Sequence, residues 1–198
     1  MDESMLNRIC VFCGSSMGAR PVYRLAAVEV GTTLAGRGIE LVYGGGNVGL
    51  MGEVADAALA QGGRVIGVIP EALVAWEVGH TGLTDLRVVG SMHERKALMA
   101  DLADGFVALP GGFGTIEEYC EILTWAQLGL HGKPCGILNV DGYFDPLLAQ
   151  FDRAFAEGFA RASNRQLILV EPTIDALLTR MADYRSPVEK KWIGRDER

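Results

Sequence analysis

The chain has 198 residues, of which 49% are hydrophobic, so it can bury one substantial core and is short for two domains. Its formal net charge of −7 and its isoelectric point near 5.0 exclude a broad basic surface, and with it a general affinity for nucleic acid or for anionic membranes. Residues 1–7 lack the features of a secretory signal and no apolar run is long enough to span a bilayer, so we expect a cytoplasmic protein.

Short apolar segments alternate with helical segments along the chain. Most are continuous and rich in Val, Ile and Leu, which is typical of strands buried on both faces of a parallel sheet. The predicted strands cover residues 9–13, 39–43, 65–69, 86–89, 105–109, 136–139 and 167–170. The predicted helices cover residues 22–36, 49–61, 92–104, 116–128, 146–157 and 174–183. This order predicts the α/β class: a single doubly wound domain at 1–184, with a mainly parallel sheet flanked by helices, and a charged tail at 185–198.

The first predicted strand ends in a Cys-x-x-Cys pair, Cys10 and Cys13. Positions three apart in a strand point to opposite faces, whereas a redox pair belongs at a helix N-terminus and a zinc site needs further ligands. We therefore interpret both residues as buried thiols. The other cysteines are isolated and the three histidines lack metal-ligand spacing, so we expect no metal.

A glycine cluster at residues 44–52 follows the second predicted strand and contains a G-x-G-x-x-G pattern. Glu71, after the third strand, lies at about the spacing of the ribose-binding acid of a dinucleotide site, which is compatible with a nicotinamide-dependent oxidoreductase. The pattern alone is weak evidence. The same glycines are equally suited to close packing of the loop against a neighbouring strand and a ligand.

The segment after the third strand, residues 71–84, is predicted to be mostly loop. Ligands of open α/β sheets bind at the edge formed by the carboxyl ends of the strands, so Glu77 in this loop is a candidate for the site. An acid that is only solvated is the alternative.

Residues 91–96, SMHERK, predict a helix start, because Ser91 and Glu94 have the spacing of a capping box. Arg95 and Lys96 follow in the first turns, where the helix dipole disfavours cations, so two cations there indicate an anionic partner. Arg95 also shares a stripe with apolar residues, and a guanidinium on such a face should be paired. The alternative for both residues is a solvated head group on an apolar stem.

Residues 107–118, VALPGGFGTIEE, are the most informative stretch of the sequence. A buried-looking strand runs into glycines that let the backbone approach an anion, and the next helix adds free N–H donors and a positive dipole end. Glu118 would repel a phosphate bound there unless its carboxylate faced another part of the ligand. The stretch therefore favours a phosphorylated substrate whose reacting centre lies near Glu118. A tight turn in which Thr115 and Glu118 form a capping box is the alternative.

The helix after Thr115 is apolar on two sides, although one apolar face is enough to cover a sheet. The second side favours contact with a twofold copy of the chain, and a thick core layer within one chain is the alternative. The two stripes are Ile116, Tyr119, Cys120 and Leu123, and Ile122, Trp125 and Leu128.

Four segments together carry a resemblance to a known family: GGGNVGLMG at 44–52, MHERKA at 92–97, PGGFGTIEE at 110–118 and TWAQLGLHGKPCGILNVDGYFDPL at 124–147. Over residues 9–169 the chain closely resembles the LOG family, cytokinin riboside 5′-monophosphate phosphoribohydrolases that are often mislabelled lysine decarboxylases. The resemblance implies a Rossmann-like fold, a homodimer with active sites near the interface, and no cofactor. It also implies hydrolysis of N6-modified adenosine 5′-monophosphates, with AMP itself as a further candidate, to free base and ribose 5-phosphate.

The resemblance assigns roles to residues of this chain. Arg95 and Glu118 are the implied catalytic pair. Glu118 would stabilise an oxocarbenium-like ribose or direct a water to C1′, and Arg95 would orient Glu118 and the ribose hydroxyls. The implied substrate-binding residues are Gly45, Gly46, Glu77, Met92, Lys96, Gly112, Phe113, Gly114, Thr115, Ile116, Glu117 and Thr124, of which Gly112, Gly114 and Thr115 would hold the 5′-phosphate.

Two departures from the family pattern concern base selectivity more than chemistry. Asn47 stands where plant members usually have serine, and Trp76-Glu77-Val78 stands where Arg-Glu-Ile is common. Besides the oxidoreductase, a non-catalytic nucleotide sensor competes with the hydrolase. A pyridoxal-dependent lysine decarboxylase is disfavoured, because the chain has few lysines and none in an evident cofactor motif.

Overall fold

A seven-stranded sheet forms the centre of the molecule in the computed structural model, which describes residues 6–74 and 79–188. The strands are β1 (Arg8–Phe12), β2 (Glu40–Tyr43), β3 (Val65–Pro70), β4 (Asp85–Val89), β5 (Gly105–Ala108), β6 (Cys135–Leu138) and β7 (Ile168–Glu171). Neighbouring strands are parallel throughout, in the order β4-β3-β2-β1-β5-β6-β7. The predicted strands are confirmed, with small shifts at their ends.

Strand β1 shows why the apolar segments lack an alternating pattern. Ile9 and Val11 pack into the core on one face of the sheet, while Cys10 and Phe12 pack into the core on the other. Helices cover both faces, so both sets of side chains are removed from water.

Helices cover the two faces of the sheet in two groups. α1, α2 and α7 pack on one face, and α4, α5 and α6 pack on the other, while α3 is a single turn in the segment predicted to be mostly loop. The predicted helices are confirmed, although their ends shift. Their bounds are α1 (Pro21–Gly36), α2 (Gly49–Ala60), α3 (Glu71–Val74), α4 (Met92–Leu102), α5 (Phe113–Gln127), α6 (Asp145–Ala156) and α7 (Ile174–Ala182).

Helices α1 and α2 approach each other most closely at Gly31. A Cβ at Gly31 would lie 2.3 Å from the carbonyl oxygen of Val54 and 2.9 Å from the Cβ of Ala57. These distances are shorter than van der Waals contact, so the two helix backbones can pack this closely only because residue 31 has no side chain.

Helix α5 begins earlier than the sequence predicts. Gly112 is its N-cap and Phe113 is its first helical residue, so Thr115 lies inside the first turn. The interpretation of Thr115 and Glu118 as a capping box is therefore wrong. The predicted stripes are also corrected, because the buried face of α5 cuts across both of them and consists of Thr115, Tyr119, Ile122 and Ala126.

The strand order reverses between β1 and β5, which are neighbours in the sheet although they are distant in sequence. Loops that leave two such strands diverge to opposite faces and open a crevice at the carboxyl edge of the sheet. The two loops are tied together here, since the Gly14 N–H donates to the Pro110 carbonyl at 3.1 Å.

Some predictions fall on residues that lie outside the described ranges. These are Glu77 and residues 189–198 of the predicted tail. Within residues 6–74 and 79–188, none of the helices combines the length and the apolar character that crossing a membrane requires.

Candidate active site

The glycines after β5 expose the backbone at the start of α5. A Cβ on Gly112 or Gly114 would meet no atom of the described residues within 4 Å, so both positions face open space. Gly111 is packed instead, because a Cβ there would lie 2.1 Å from Oγ1 of Thr115. The first N–H groups of a helix have no intrahelical acceptor and lie at its positive end, so this turn is suited to bind a phosphate.

A cleft of about 210 Å³ lies between this turn, the loop after β1 and helix α4. A second cavity of about 280 Å³ adjoins it at Gly14, Ser15 and Gly112. The cleft brings together both predicted catalytic residues and the predicted phosphate loop. The predicted residues that line it are Arg95, Gly112, Phe113, Gly114, Thr115 and Glu118.

The guanidinium of Arg95 is buried and held in place by backbone carbonyls. Nε donates to the Val68 carbonyl at 3.0 Å, and Nη2 donates to the Gly44 carbonyl at 2.8 Å. Nη1 lies 3.5 Å from the sulfur of Met92, which is 41% exposed. Gly44 cannot be replaced without moving the guanidinium, because a Cβ there would lie 2.0 Å from Nη2. The prediction that Arg95 is paired is confirmed, and its fixed positive charge faces the cleft.

Glu118 lies on the second turn of α5 and lines the same cleft. Its carboxylate acts with Arg95 on the buried thiol beneath them: burial raises the pKa of Cys10 first, the charge of Glu118 raises it further, and the charge of Arg95 lowers it. Burial and Glu118 likewise raise the pKa of Cys13. The charges of Glu118 and Arg95 therefore both act on the Cys10 thiol, in opposite directions. The prediction that Cys10 and Cys13 are buried free thiols is confirmed.

Lys96 is not available to a phosphate in this structure. Its ammonium lies 2.6 Å from Oε1 of Glu117 and 3.0 Å from Oε2 of Glu121, although the second contact lacks hydrogen-bond geometry. Burial acts to lower the pKa of Lys96, but the two carboxylates outweigh it and raise the pKa. Lys96 and Glu117 thus join α4 to α5 beside the cleft.

Other predicted binding residues lie away from the cleft. Thr124 donates from Oγ1 to the Cys120 carbonyl at 2.7 Å and lines a separate apolar cavity of about 160 Å³ between α5 and α6. Ile116 is partly buried on α5, outside the lining of the cleft. Within the glycine cluster it is Gly44 that lines the cleft, while Gly45 and Gly46 are buried beside it.

The glycine cluster at 44–52 serves close packing. Gly45 has a φ of 77°, and a Cβ on it would lie 3.2 Å from the Cβ of Ile69. Gly44 is in contact with the Arg95 side chain, as described above. The cluster also follows β2, whereas the strand order reverses at β1 and β5. These contacts favour the packing interpretation over a dinucleotide-binding loop.

The sequence prediction missed the contribution of the β1 side to the cleft. Gly14 and Ser15 follow β1 directly, while Met51 and Met99 extend from α2 and α4. The Gly-Ser-Ser sequence after this buried strand could have indicated a ligand-binding loop. It points to this cleft only once β1 is known to lie next to β5. Among the described residues, no cluster of three or more His, Cys, Asp or Glu side chains could hold a metal ion.

Residues 51–181 match a family model described as possible lysine decarboxylase. The probable cytokinin riboside 5′-monophosphate phosphoribohydrolase LOGL1 of Oryza sativa subsp. japonica is 55% identical over 177 residues, which cover 89% of this chain and 79% of the relative. The cytokinin riboside 5′-monophosphate phosphoribohydrolase LOG of the same plant is 51% identical over 195 residues, which cover 98% of this chain and 81% of the relative.

A solved structure supports the fold. The molybdenum cofactor binding protein of Rippkaea orientalis superposes with a TM-score of 0.69 at 22% identity, covering 90% of this chain and 97% of the other. That identity supports the Rossmann-like architecture alone. The identity to the curated relatives is far higher and extends over nearly the whole chain. This chain belongs to the LOG family of cytokinin riboside 5′-monophosphate phosphoribohydrolases.

Proposed function

We propose that this protein hydrolyses the N-glycosidic bond of N6-modified adenosine 5′-monophosphates, releasing the free base and ribose 5-phosphate. The names of the curated relatives supply the reaction. The observation that carries the proposal is the convergence of a fixed guanidinium, a carboxylate and an open helix N-terminus on one cleft.

The cleft provides groups for the phosphate and for the ribose of the substrate. The N–H groups at Gly112, Gly114 and Thr115 bind the 5′-phosphate. As the bond between C1′ and the base nitrogen breaks, positive charge develops on the ribose ring, and the Glu118 carboxylate stabilises it and directs a water to C1′. Arg95 orients Glu118 and the ribose hydroxyls. The water oxygen becomes the anomeric hydroxyl, and a proton passes to the departing base.

The test is incubation of the protein with AMP, with N6-isopentenyl-AMP and with the unphosphorylated riboside, followed by chromatography for free base. The two phosphorylated compounds are expected to release base, and the riboside is expected to be a poor substrate because it lacks the anion that α5 binds. Binding of AMP without ribose 5-phosphate would identify a nucleotide sensor instead. Tight binding of a nicotinamide cofactor in place of AMP would favour an oxidoreductase.

Substitutions at the two charged residues test the roles proposed for them. Glu118→Gln and Arg95→Ala are expected to fold and to lose about 10²- to 10⁴-fold in turnover, the usual scale for positioned acid–base groups. The matched controls are Glu157→Gln and Arg153→Ala, which break a surface ion pair at the end of α6 and should leave turnover unchanged. Normal turnover in either cleft variant would contradict the assignment.

Lysine decarboxylation, the activity in the description of the family model, has less support. Pyridoxal chemistry needs a lysine amine that is free to form a Schiff base. In the described part of the chain the lysines are Lys96, which is paired with Glu117, and Lys133, whose Nζ donates to the Ala100 carbonyl at 2.7 Å. The absence of a pyridoxal absorbance in the purified protein would agree with this.

We also propose a homodimer, which rests on an exposed apolar surface at the end of α5 and the loop after α6. Leu128 is 61% exposed and Phe159 is 89% exposed, and both line one surface hollow of about 640 Å³. Leu130 is 69% exposed. Large apolar side chains exposed around one hollow, as Leu128 and Phe159 are, are typical of interfaces. Sedimentation should show a dimer, and Phe159→Asp should shift it toward monomer, while an unchanged mass would place the interface elsewhere.

We propose a reducing, cytoplasmic compartment for the protein. The four cysteines are free thiols, and free thiols persist where disulfides are kept reduced. Fluorescence imaging of a tagged chain would test this location.

A further inference from the structure

The segment 79–84, which we call the strap, packs against the glycine loop at 44–46. The His80 N–H donates to the Gly45 carbonyl at 3.1 Å, and Gly79 forms an antiparallel bridge with Gly46. At its far end, Thr84 accepts a hydrogen bond from the Val65 N–H at 3.1 Å. The strap therefore holds the loop after β2 from outside the cleft.

The imidazole of His80 fixes the strap to helix α2. The side chain is 8% exposed, and both of its nitrogens have partners. The Gly82 N–H lies 3.1 Å from Nδ1, and because a backbone N–H can only donate, Nδ1 is the acceptor. Nε2 therefore carries the hydrogen and donates to Oδ1 of Asp56 at 2.8 Å. Both ring nitrogens are therefore used in holding the strap to α2.

The strap and the catalytic guanidinium bind successive carbonyls of the same loop. The Gly45 carbonyl accepts from the strap, and the Gly44 carbonyl accepts from Nη2 of Arg95 at 2.8 Å. Consecutive glycines have wide freedom in φ and ψ, so the direction of the Gly44 carbonyl depends on what holds the loop. The strap supplies that restraint, and His80 supplies the restraint on the strap.

We propose that His80, together with Asp56, is a positioning residue for Arg95. It acts through the strap and the glycine loop and does not touch the substrate, and its effect on catalysis rests on the function proposed above. Loss of the imidazole loosens the strap and with it the loop that carries the Gly44 carbonyl, so the guanidinium can move within the cleft. Misplacement of a catalytic group by about 1 Å lowers rates by about 10²-fold.

His80→Ala is expected to lower kcat by about 10- to 100-fold and to leave KM within about twofold, because the phosphate-binding turn of α5 is untouched. Asp56→Ala should disturb the fold less than His80→Ala, because the Asp56 side chain is largely exposed on α2. The matched control is His131→Ala. His131 uses its nitrogens in the same way, because Nδ1 accepts from the Lys133 N–H and Nε2 donates to the Ile122 carbonyl. It follows the C-terminal end of α5, whereas the cleft lies at the N-terminal end.

A double-mutant cycle separates positioning from general support of the fold. In an Arg95→Lys background, His80→Ala should lower kcat by less than about twofold, because its effect passes through Arg95. The proposal would be overturned if His80→Ala lowered kcat by the same factor in the wild-type and Arg95→Lys backgrounds. It would also be overturned if His80→Ala left kcat unchanged.

Hydrogen exchange of the Arg95 Nε–H, followed by NMR, gives a readout that does not need turnover. In the wild-type protein this N–H donates to the Val68 carbonyl at 3.0 Å and should exchange slowly. Exchange should become faster in His80→Ala and stay slow in His131→Ala. A wild-type protein that releases no base but shows this pattern would refute the proposed function and support the positioning role. Equal exchange rates in the two variants would refute the positioning role.

Discussion

At the level of single residues, the site depends on side chains that are held by the backbone. Arg95 is oriented by the carbonyls of Gly44 and Val68, and it is proposed to offer its charge to the ligand. The sequence predicted that Arg95 is paired, because it shares a helical stripe with apolar residues. It did not predict the partners, since carbonyl acceptors carry no signature in the side-chain sequence.

Tyr43 is the residue whose replacement should stabilise the fold. Its side chain is fully buried and its hydroxyl has no hydrogen-bond partner among the described residues, and burial raises its pKa. Tyr43→Phe removes this unpaired group and should raise stability by about 1 kcal/mol. For a chain of this length that corresponds to an increase in Tm of about 3 °C, measurable by calorimetry.

The matched control for Tyr43 is Tyr119→Phe. Tyr119 is equally buried, but its hydroxyl donates to the Cys135 carbonyl at 3.3 Å. Removing that donor leaves a carbonyl unpaired and should lower stability by about 1 kcal/mol. If both substitutions lowered Tm alike, Tyr43 would have a partner of its own in the folded protein.

At the level of helices and strands, the sequence was reliable where local pattern decides the structure. Continuous apolar segments identified the strands, and Ser91 marked the start of α4, where its Oγ accepts from the Glu94 N–H at 3.2 Å. The start of α5 was missed because glycines favour loops on average. The first turn of a helix makes few intrahelical bonds, so Phe113 and Gly114 can begin α5 at little cost while Thr115 packs against Gly111.

The contact between α1 and α2 gives a prediction at this level. Gly31→Ala inserts a methyl group 2.3 Å from the Val54 carbonyl oxygen, so the helices must move apart at a cost of about 2 kcal/mol. Gly36→Ala, at the end of the same helix, meets nothing within 4 Å in the described residues and should gain about 0.5 kcal/mol. Urea unfolding of both variants measures the difference. Equal effects would show that α1 and α2 are not in close contact.

At the level of the whole molecule, the strand order determines which distant segments of the chain meet at the cleft. The family resemblance implied that Glu118 and Arg95 belong to one site, and both residues line the cleft. The pattern did not predict that Gly14 and Ser15 join them, which requires β1 beside β5. Nor did it predict the ion pair of Lys96 with Glu117, which depends on how α4 lies against α5.

The acid stability of the molecule should depend on His131. Burial lowers its pKa below the ordinary value of 6.5, assisted by Lys133 and opposed by the hydrogen bond to Ile122. The unfolded chain therefore takes up a proton at higher pH than the folded chain. The neutral His131 ring therefore contributes its full share to the free energy of unfolding above the unfolded pKa of about 6.5. That contribution is lost as the pH falls through the lower pKa of the folded protein.

Thermal unfolding at about pH 7.5 and about pH 5.5 measures this dependence. The drop in Tm between the two should be smaller in His131→Gln, which keeps an amide donor for the Ile122 carbonyl and cannot titrate. His93→Gln, on the exposed side of α4, is the control and should show the full drop. A full drop in His131→Gln as well would assign the acid sensitivity to other groups.

Two buried thiols, Cys13 in the cleft lining and Cys10 in the core, are affected by the Glu118 charge that is proposed to serve the ribose. Oxidants attack the thiolate, and both burial and the Glu118 carboxylate hold Cys10 and Cys13 in the protonated form. The negative charge that is proposed to stabilise a cationic sugar ring thus also disfavours the reactive thiolate form of Cys10 and Cys13. The protein can therefore keep two cysteines at or near this cleft with their thiols in the form that peroxide attacks slowly.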